Sequence, residues 1–395
     1  MVLERAPGGG PSGRRGEGLG QTADGRATVS RSVYLDVLRA VALLRVIVYH
    51  ASSWWWVTTF TAMPLMFFIA GTLYAASLQR RAAARVVADR YRRILVPYWV
   101  YLAVMVGLWG ALGVLGQITP ANWVGFVLPV LSVNGPQGPG AETWLHLTWF
   151  ALWYIQMHLV LSLVGGPLRR AQQQRPVALF ATLASAFLVS AAVAPPLAIA
   201  IFYAVCWIAG YYHFDGRLDT ALRSRWPVVC ALTGPLGAVT FIGFHARAPM
   251  VAAIGVALLG AFWVSLAVGV EPWIEPHLSG RRIRSVVTWF SQRSLTVYLW
   301  HGVALYAIYQ LALPGSGNFF ARLAWCAVLL PVAVVCFGWA EDLAARRQVQ
   351  IWPRLPSSRA AARGPAATID LRSSRPSTPR PPSATTGPEP GVDRA

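Results

Sequence analysis

The stretch from residue 249 to residue 269 reads PMVAAIGVALLGAFWVSLAVG, a run of 21 residues without a charged side chain. A helix of about 20 such residues spans the hydrocarbon core of a bilayer. Nine further apolar runs of similar length lie near 33–52, 60–79, 95–117, 144–165, 177–193, 196–213, 227–244, 294–313 and 320–340. The sequence therefore predicts an all-α integral membrane protein, a bundle of about ten transmembrane helices.

The composition agrees with this fold class and excludes a soluble domain. The chain is 55% hydrophobic and only 12% charged, which is too apolar for a soluble protein of this length. Its net charge of +19 comes from arginine without any lysine. The arginines form short clusters separated by segments of spanning length, so the lipid bilayer is the expected partner and a nucleic acid is not. The cysteines lie inside apolar segments and are expected to be small core residues.

The arginines also predict the orientation of the chain, because positive residues near helix ends stay on the cytoplasmic side. They concentrate in alternate connections, at residues 80–93, 169–175, 217–225 and 281–284. Ten spans then place both termini in the cytoplasm. We expect a multi-pass protein of the plasma membrane with a transmembrane domain at 31–345, between disordered tails at 1–30 and 346–395. A short segment at 123–133 is expected at the outer interface or in a buried loop.

The first predicted span contains ionisable side chains that a lipid-facing helix does not tolerate. Asp36 precedes Arg39 by three residues and can pair with it. Arg39 and His50 are eleven residues apart, which places them within about 20° around a helix and about 16 Å along it. Arg39 is thus expected in the inner half of the membrane and His50 near the outer boundary. A structural ion pair with an interfacial histidine is the simpler alternative.

Five segments carry motifs in a fixed order. Leu35, Asp36, Leu38 and Arg39 precede His50 in the first, and the others are Pro64 to Gly71, Arg90 to Trp99, His146 to Tyr154 and Ser294 to His301. This ordered set resembles the acyltransferase 3 family of membrane O-acyltransferases and covers roughly residues 33–340. Ala70 stands where that family usually has serine, and Arg45 is an additional charge, facing either the bundle or the membrane surface.

The resemblance implies a transfer of an acyl group, expected to be acetyl, from cytoplasmic acyl-coenzyme A to a hydroxyl of a carbohydrate or glycosylated acceptor. Acyl-coenzyme A is then a co-substrate, and no permanently bound cofactor is expected. Asp36, Arg39 and His50 match the family signature. Neutral histidine suits deprotonation of a hydroxyl near pH 7, so His50 is the predicted base. Arg39 would steady His50, bind an anionic part of the donor or, less readily, stabilise an oxyanion.

Further residues are candidates for donor or substrate binding. Arg90 and Arg93 are predicted at the cytoplasmic mouth, where guanidinium groups suit phosphates, although this arginine cluster can equally anchor the protein to anionic lipids. Glu142 and His146 are expected to share the outer vestibule with His50. His301 and Tyr298 lie in a segment that resembles a late motif of the family.

The remaining histidines are expected to have no role in catalysis or binding. His158 is expected to be a bundle histidine with satisfied hydrogen bonds, and His213, His245 and His277 to have no specific function. No group of residues has metal-ligand spacing, so no metal site is expected.

Two alternatives remain at this point. The intramembrane Asp36, Arg39 and His50 also fit a multi-span transporter or exporter that relays protons, although the sequence has no convincing internal repeat. Some family members carry an extracytoplasmic hydrolase-like domain, and this chain has 55 residues after residue 340. It is therefore expected to act alone or to pass the acyl group to a separate partner.

Overall fold

The structure is a computed structural model that describes residues 33–52, 54–132, 136–244 and 248–351. All regular secondary structure in these residues is helical. The predicted tail at 1–30 and most of the predicted tail at 346–395 lie outside them. The α-helices are α1 (Val33–Ser52), α2 (Ala62–Leu78), α3 (Ala83–Ala111), α4 (Pro120–Val127), α5 (Leu152–Gln174), α6 (Pro176–Val193), α7 (Pro195–Phe214), α8 (Arg217–Leu222), α9 (Trp226–Phe244), α10 (Pro249–Ile274), α11 (Arg281–Gln292), α12 (Ser294–Gln310), α13 (Phe319–Phe337) and α14 (Trp339–Ala344).

Ten of these helices coincide with the ten predicted spans, which confirms the predicted fold class. Eight of the ten are long and apolar enough to cross a membrane. The other two are α1, which contains Asp36, Arg39 and Arg45, and α12, which has 17 residues. Both pack against several neighbours. Their polar side chains therefore meet other helices rather than lipid.

Several helix boundaries differ from the prediction, and the largest differences are in α3 and α5. Helix α3 begins at Ala83 rather than near residue 95, so the arginines at 85–93 lie on the helix. Alanine and arginine are good helix formers, and hydropathy alone does not detect such an extension. Helix α5 begins at Leu152 rather than near residue 144, because Trp144–Thr148 forms a separate 3-10 turn.

Glycine allows α2 and α7 to approach closely. A Cβ atom on Gly71 would collide with the Trp207 carbonyl of α7, and one on Gly210 would collide with the Phe68 carbonyl of α2. Small residues at such crossings permit dense packing where there is no hydrophobic drive between helices in lipid.

Buried tyrosines join the helices by donating to main-chain carbonyls of their neighbours. Tyr74 Oη is 2.9 Å from the Ser162 oxygen, Tyr211 Oη is 2.9 Å from the Gly165 oxygen and Tyr298 Oη is 2.7 Å from the Ala151 oxygen. Each bond satisfies a buried polar group and fixes the position of one helix against the next.

Residues 346–351, which were assigned to the disordered tail, are bound to the bundle. Asp342 of α14 accepts hydrogen bonds from the Gln350 N–H at 3.0 Å and from Arg347 at 3.0 Å. Asp342 in turn receives both terminal nitrogens of the buried Arg293, at 2.9 and 2.7 Å. Composition does not show such contacts, because they join the segment after α14 to side chains elsewhere in the fold.

Candidate active site

Asp36 and Arg39 form a polar cluster with Ser291 of α11. Arg39 Nη1 is 3.5 Å from Asp36 Oδ1 and 3.3 Å from Ser291 Oγ, and the serine hydroxyl donates to Asp36 at 2.7 Å. The three-residue spacing predicted the ion pair. Ser291 was missed, because nothing in the sequence relates two residues 255 positions apart.

His50 lies in a second cluster, made by aromatic rings from three elements. Its ring centroid is 4.4 Å from that of Phe150, in an edge-to-face contact, and 5.3 Å from that of His301 on α12. Phe150 is also 6.0 Å from the ring of His146. The structure thus brings together three of the predicted histidines, His50, His146 and His301, around one phenylalanine.

The main chain determines the tautomer of neutral His301. Its Nδ1 contacts the Tyr298 carbonyl oxygen, which can only accept a hydrogen bond, so Nδ1 carries the proton. Nε2 therefore has a free lone pair, and within the described residues this buried atom has no hydrogen-bond partner. His301 thus offers a proton acceptor beside His50.

The other predicted residues of the outer vestibule differ in their surroundings. His146 Nδ1 is 2.6 Å from the Thr143 carbonyl oxygen, so its Nε2 is likewise left as an acceptor in the neutral form. Tyr298 uses its hydroxyl to bind Ala151 of the turn before α5. Glu142 is exposed on the loop that precedes His146 and lies outside the ring cluster.

Arg39 and His50 belong to different clusters, and a row of buried aromatic side chains connects the two levels of the bundle. Successive ring centroids in this row are 5.3, 5.5, 5.0 and 5.8 Å apart. The aromatic row consists of His50, His301, Tyr298, Tyr154 and His158. At its far end, His158 Nε2 is 3.4 Å from Arg90 Nη1, and the charge of Arg39 also acts on His158.

Arg90 and Arg93 do not form one site, although they are three residues apart. Arg90 turns into the bundle, where its guanidinium carbon is 4.8 Å from the Tyr74 ring and 5.7 Å from the Trp207 ring. Arg93 is exposed. The predicted pair at the cytoplasmic mouth is therefore divided between the interior and the surface.

His158 differs from its prediction as a satisfied bundle histidine. Its Nε2 faces Arg90, and its buried Nδ1 has no partner among the residues that the structure describes. The side-chain nitrogen of Gln156, two residues earlier on α5, is also buried without one. Buried polar atoms are usually paired, so these two nitrogens are exceptional within the described part of the bundle.

The additional Arg45 has a local partner. Its Nε and Nη2 donate to the Val57 carbonyl at 3.2 and 2.8 Å, and its guanidinium lies 5.0 Å from the Tyr49 ring. Arg45 thus holds the 3-10 turn at Trp55–Thr59 against α1, so its guanidinium is bound within the protein.

A cleft of about 770 Å³ opens beside the N-terminal half of α3. Arg81, Arg85, Arg92 and Arg346 line it together with Ala88 and Asp89. Arg90, the next residue on α3, turns inward to His158. The cleft and the arginine that contacts His158 thus lie on one helix, and Arg346 of the C-terminal segment could not be placed at the cleft from sequence.

Comparison with known protein families matches residues 32–340 to the acyltransferase 3 family, described as an acyltransferase domain. The chain belongs to the acyltransferase 3 family. It is a membrane acyltransferase, and the matched region includes the whole cluster around His50 and the cluster around Arg39. No curated protein and no solved structure matched the chain.

Ligand-type side chains come together at a different place in this acyltransferase, contrary to the expectation from spacing. Donor atoms of His213, Asp219 and Glu271 all lie within 4.8 Å of one another. The three residues come from α7, α8 and α10. Because Glu271 is more than 50 residues from the other two, spacing along the chain does not predict the group. They lie outside the clusters around His50 and Arg39.

Proposed function

We propose that this acyltransferase moves an acyl group, acetyl in the first instance, from cytoplasmic acyl-coenzyme A to a hydroxyl of a carbohydrate or glycosylated acceptor, in the plasma membrane. The observation that carries the proposal is the pairing of His50 with His301 at one end of an aromatic row, whose other end contacts Arg90 on the helix that lines an arginine-rich cleft. Family membership supports acyl transfer; the coenzyme A donor and the carbohydrate acceptor are what the family resemblance implies.

The cleft suits the nucleotide end of coenzyme A. Its phosphates carry several negative charges, and guanidinium groups bind phosphate through paired N–H donors. Four arginines line a volume of about 770 Å³. This assignment replaces the Arg90 and Arg93 pair with Arg81, Arg85, Arg92 and Arg346, and leaves Arg90 to act inside the bundle.

The aromatic row suits the pantetheine arm, which is narrow and contains two amide groups. The unpartnered nitrogens of Gln156, His158 and His301 supply both donor and acceptor atoms along it. An occupant with amides would satisfy these buried atoms and bring the thioester to the level of His50. Arg90 would then lie where the arm leaves the cleft.

The reaction needs one base and no further co-reactant. His50 accepts the proton of the acceptor hydroxyl while its oxygen bonds to the thioester carbonyl carbon. Collapse of the tetrahedral intermediate breaks the carbon–sulfur bond, and the protonated His50 returns the proton to the leaving thiolate. The His301 ring lies 5.3 Å from that of His50 and keeps it beside Phe150, so His301 is a positioning residue.

Exposed aromatic faces near the vestibule support a sugar as acceptor. Trp144 stacks on Tyr309 at 3.8 Å and is 48% exposed, and Trp54 lies 4.5 Å from the Phe319 ring with 41% exposure. Flat aromatic rings provide apolar contact area together with a polar edge, which matches the two faces of a sugar. The chain either completes the transfer alone or passes the acyl group to a partner.

The direct test is a transfer assay with purified protein in detergent, labelled acetyl-coenzyme A and a pool of glycan acceptors. Wild type should transfer label, and His50→Ala should lose about 10²–10⁴-fold in rate, the usual contribution of a general base. His277→Ala is the matched control, since His277 is exposed and its Nδ1 contacts the Trp273 carbonyl. Equal rates in both variants would exclude His50 as the base.

The donor site is tested separately by binding. Replacement of Arg81 and Arg85 by glutamine should weaken acetyl-coenzyme A and 3′,5′-ADP alike, by about tenfold, or ~1.4 kcal/mol. Arg223→Gln with Arg225→Gln removes the same charge from another exposed connection and should leave binding unchanged. If both pairs weaken binding equally, the effect is general electrostatics and the cleft is not the donor site.

A further inference from the structure

Three side chains of ligand type converge at one end of α7. His213 lies in the last turn of α7, Asp219 in the short helix α8 and Glu271 in the last turns of α10. Gly216, with φ of 70°, makes the left-handed turn that reverses the chain between α7 and α8. This reversal brings Asp219 back to His213.

The hydrogen bonding leaves one imidazole nitrogen opposite a carboxylate. His213 Nδ1 is 2.7 Å from Asp219 Oδ1, and an ionised carboxylate only accepts, so Nδ1 carries the proton. On the opposite side of the ring, His213 Nε2 is 3.8 Å from Glu271 Oε2. That separation is too long for a hydrogen bond. In the neutral imidazole a lone pair would face a negative oxygen across this gap.

A cation between these two atoms removes the conflict. Zinc binds imidazole nitrogen and carboxylate oxygen at about 2.0–2.2 Å, so a gap of 3.8 Å between Nε2 and Oε2 is close to the spacing of two ligands on one ion. A carboxylate on the other ring nitrogen is the usual support for a metal-binding histidine. Asp219 occupies that position, and the negative charge of Glu275 also acts on the imidazole.

We propose that His213 Nε2 and Glu271 bind a divalent transition-metal ion, with Asp219 orienting the imidazole. The class follows from the ligands, since imidazole with carboxylate suits Zn²⁺ and similar ions. The side chain of His213 is 6% exposed and that of Glu271 17%, so water can complete the coordination.

The ion would hold α7 and α10 together next to the first helix. Tyr34 of α1 donates to the Ala267 carbonyl of α10 at 2.6 Å, and Tyr34 is two residues before Asp36. The metal therefore supports the position of α1 and takes no part in acyl transfer. This inference is independent of the proposed function.

The test uses full-length protein in detergent, purified with a tag that contains no histidine. After exposure to Zn²⁺ and gel filtration, elemental analysis should find about one zinc per chain in wild type and in the control His277→Ala. His213→Ala and Glu271→Gln should lose it. Asp219→Asn should bind about 10–100-fold more weakly, as expected for loss of a supporting carboxylate. Co²⁺ should give a visible absorption band in wild type that Glu271→Gln lacks.

The alternative is a protonated His213 that simply bridges two carboxylates. In that case wild type binds neither Zn²⁺ nor Co²⁺, or the variants bind as well as wild type, and the proposal is overturned. Glu271→Gln keeps the shape of the side chain, so its monodisperse elution separates loss of metal from loss of fold. A chelator should lower the melting temperature of wild type but not that of Glu271→Gln.

Discussion

Helices α1 and α9 have nearly the same length, 20 and 19 residues, but their surroundings are opposite. Only 11% of the 18-residue apolar stretch of α9 is buried inside the protein, and the helix has no charged residue. Helix α1 contains Asp36, Arg39, Arg45 and His50 and packs between several helices. Of these side chains, Asp36 and Arg39 form one cluster of the candidate site and His50 belongs to the other, while Arg45 binds the Val57 carbonyl.

The same contrast holds between α12 and α6. Helix α12 has 17 residues, and its His301 is fully buried. In α6, by contrast, only 11% of the 18-residue apolar stretch is buried inside the protein. Lipid-facing helices need only an apolar surface, but polar groups inside the membrane require partners from neighbouring helices. The helices at the site are thus the ones least able to span a membrane independently.

The largest expected effect is on turnover at the paired histidines. His50→Ala should lower kcat by about 10²–10⁴-fold, and His301→Ala by less, since His301 acts through His50. Because groups that act as a unit are not additive, the double variant should be no slower than His50→Ala. Single-turnover rates across pH measure this. Additive losses would show that the two histidines work independently.

The next effect is on stability at the buried Arg293–Asp342 pair, whose side chains are 1% and 4% exposed. Arg293→Met leaves Asp342 without its main partner and should destabilise the fold by about 3–5 kcal/mol. The loss should be near the lower value, because Arg347 still pairs with Asp342. The double variant Arg293→Met with Asp342→Leu should recover part of it. Denaturation in micelles measures both.

The control for this pair is the exposed contact between Arg81 and Asp89, at 2.7 Å with 55% and 26% exposure. Arg81→Met should change stability by less than about 1 kcal/mol. A loss there as large as at Arg293 would contradict the distinction between buried and surface pairs.

A smaller effect separates two glycines. Gly71→Ala places a methyl against the Trp207 carbonyl and should cost about 1–3 kcal/mol through overpacking. Gly243→Ala in α9 meets nothing within 4 Å and should stabilise the helix by up to about 1 kcal/mol. Melting temperatures of the two variants give the comparison, and equal shifts would show that the α2–α7 crossing is loosely packed.

The smallest effect is a dependence of stability on pH at Glu341. Burial raises the pKa of this carboxyl from 4.5 to about 7, although Thr296 N and Oγ1, each 2.5 Å from Oε1, oppose the shift. The folded state therefore binds more protons between these values, and its stability decreases as pH rises from about 5 through 7. Glu341→Gln should remove this slope from melting temperatures recorded between pH 5 and 8. An unchanged slope would assign it to another group.

Much of this acyltransferase could be predicted from local sequence. Hydropathy located ten helices because each span is a contiguous apolar run. The three-residue spacing of Asp36 and Arg39 predicted their ion pair, since such residues share a helix face. Boundaries failed where helix-forming arginines extend α3, because hydropathy measures compatibility with lipid and not helix formation.

The candidate site could be predicted only in part. The motifs identified His50, His146, His301 and Tyr298 as candidates. They did not predict that Phe150 contacts all three histidines or that Ser291 binds Asp36. Arg90 and Arg93 share a helix face and are expected together, yet Arg90 reaches inward to Tyr74 and His158 while Arg93 is exposed, which depends on the packing of α2 and α5. The partners of each side chain depend on the packing of distant helices.

By itself the sequence determined that the chain lies in a membrane, where its ten apolar helices lie and that the first of them carries Asp36, Arg39 and His50, because these properties depend on contiguous residues. The tertiary structure decided which groups meet: His50 with His301, Arg90 with His158, and His213 with Asp219 and Glu271. Most of these contacts join residues far apart in the chain, so they arise from helix packing and from the need to pair polar groups away from water.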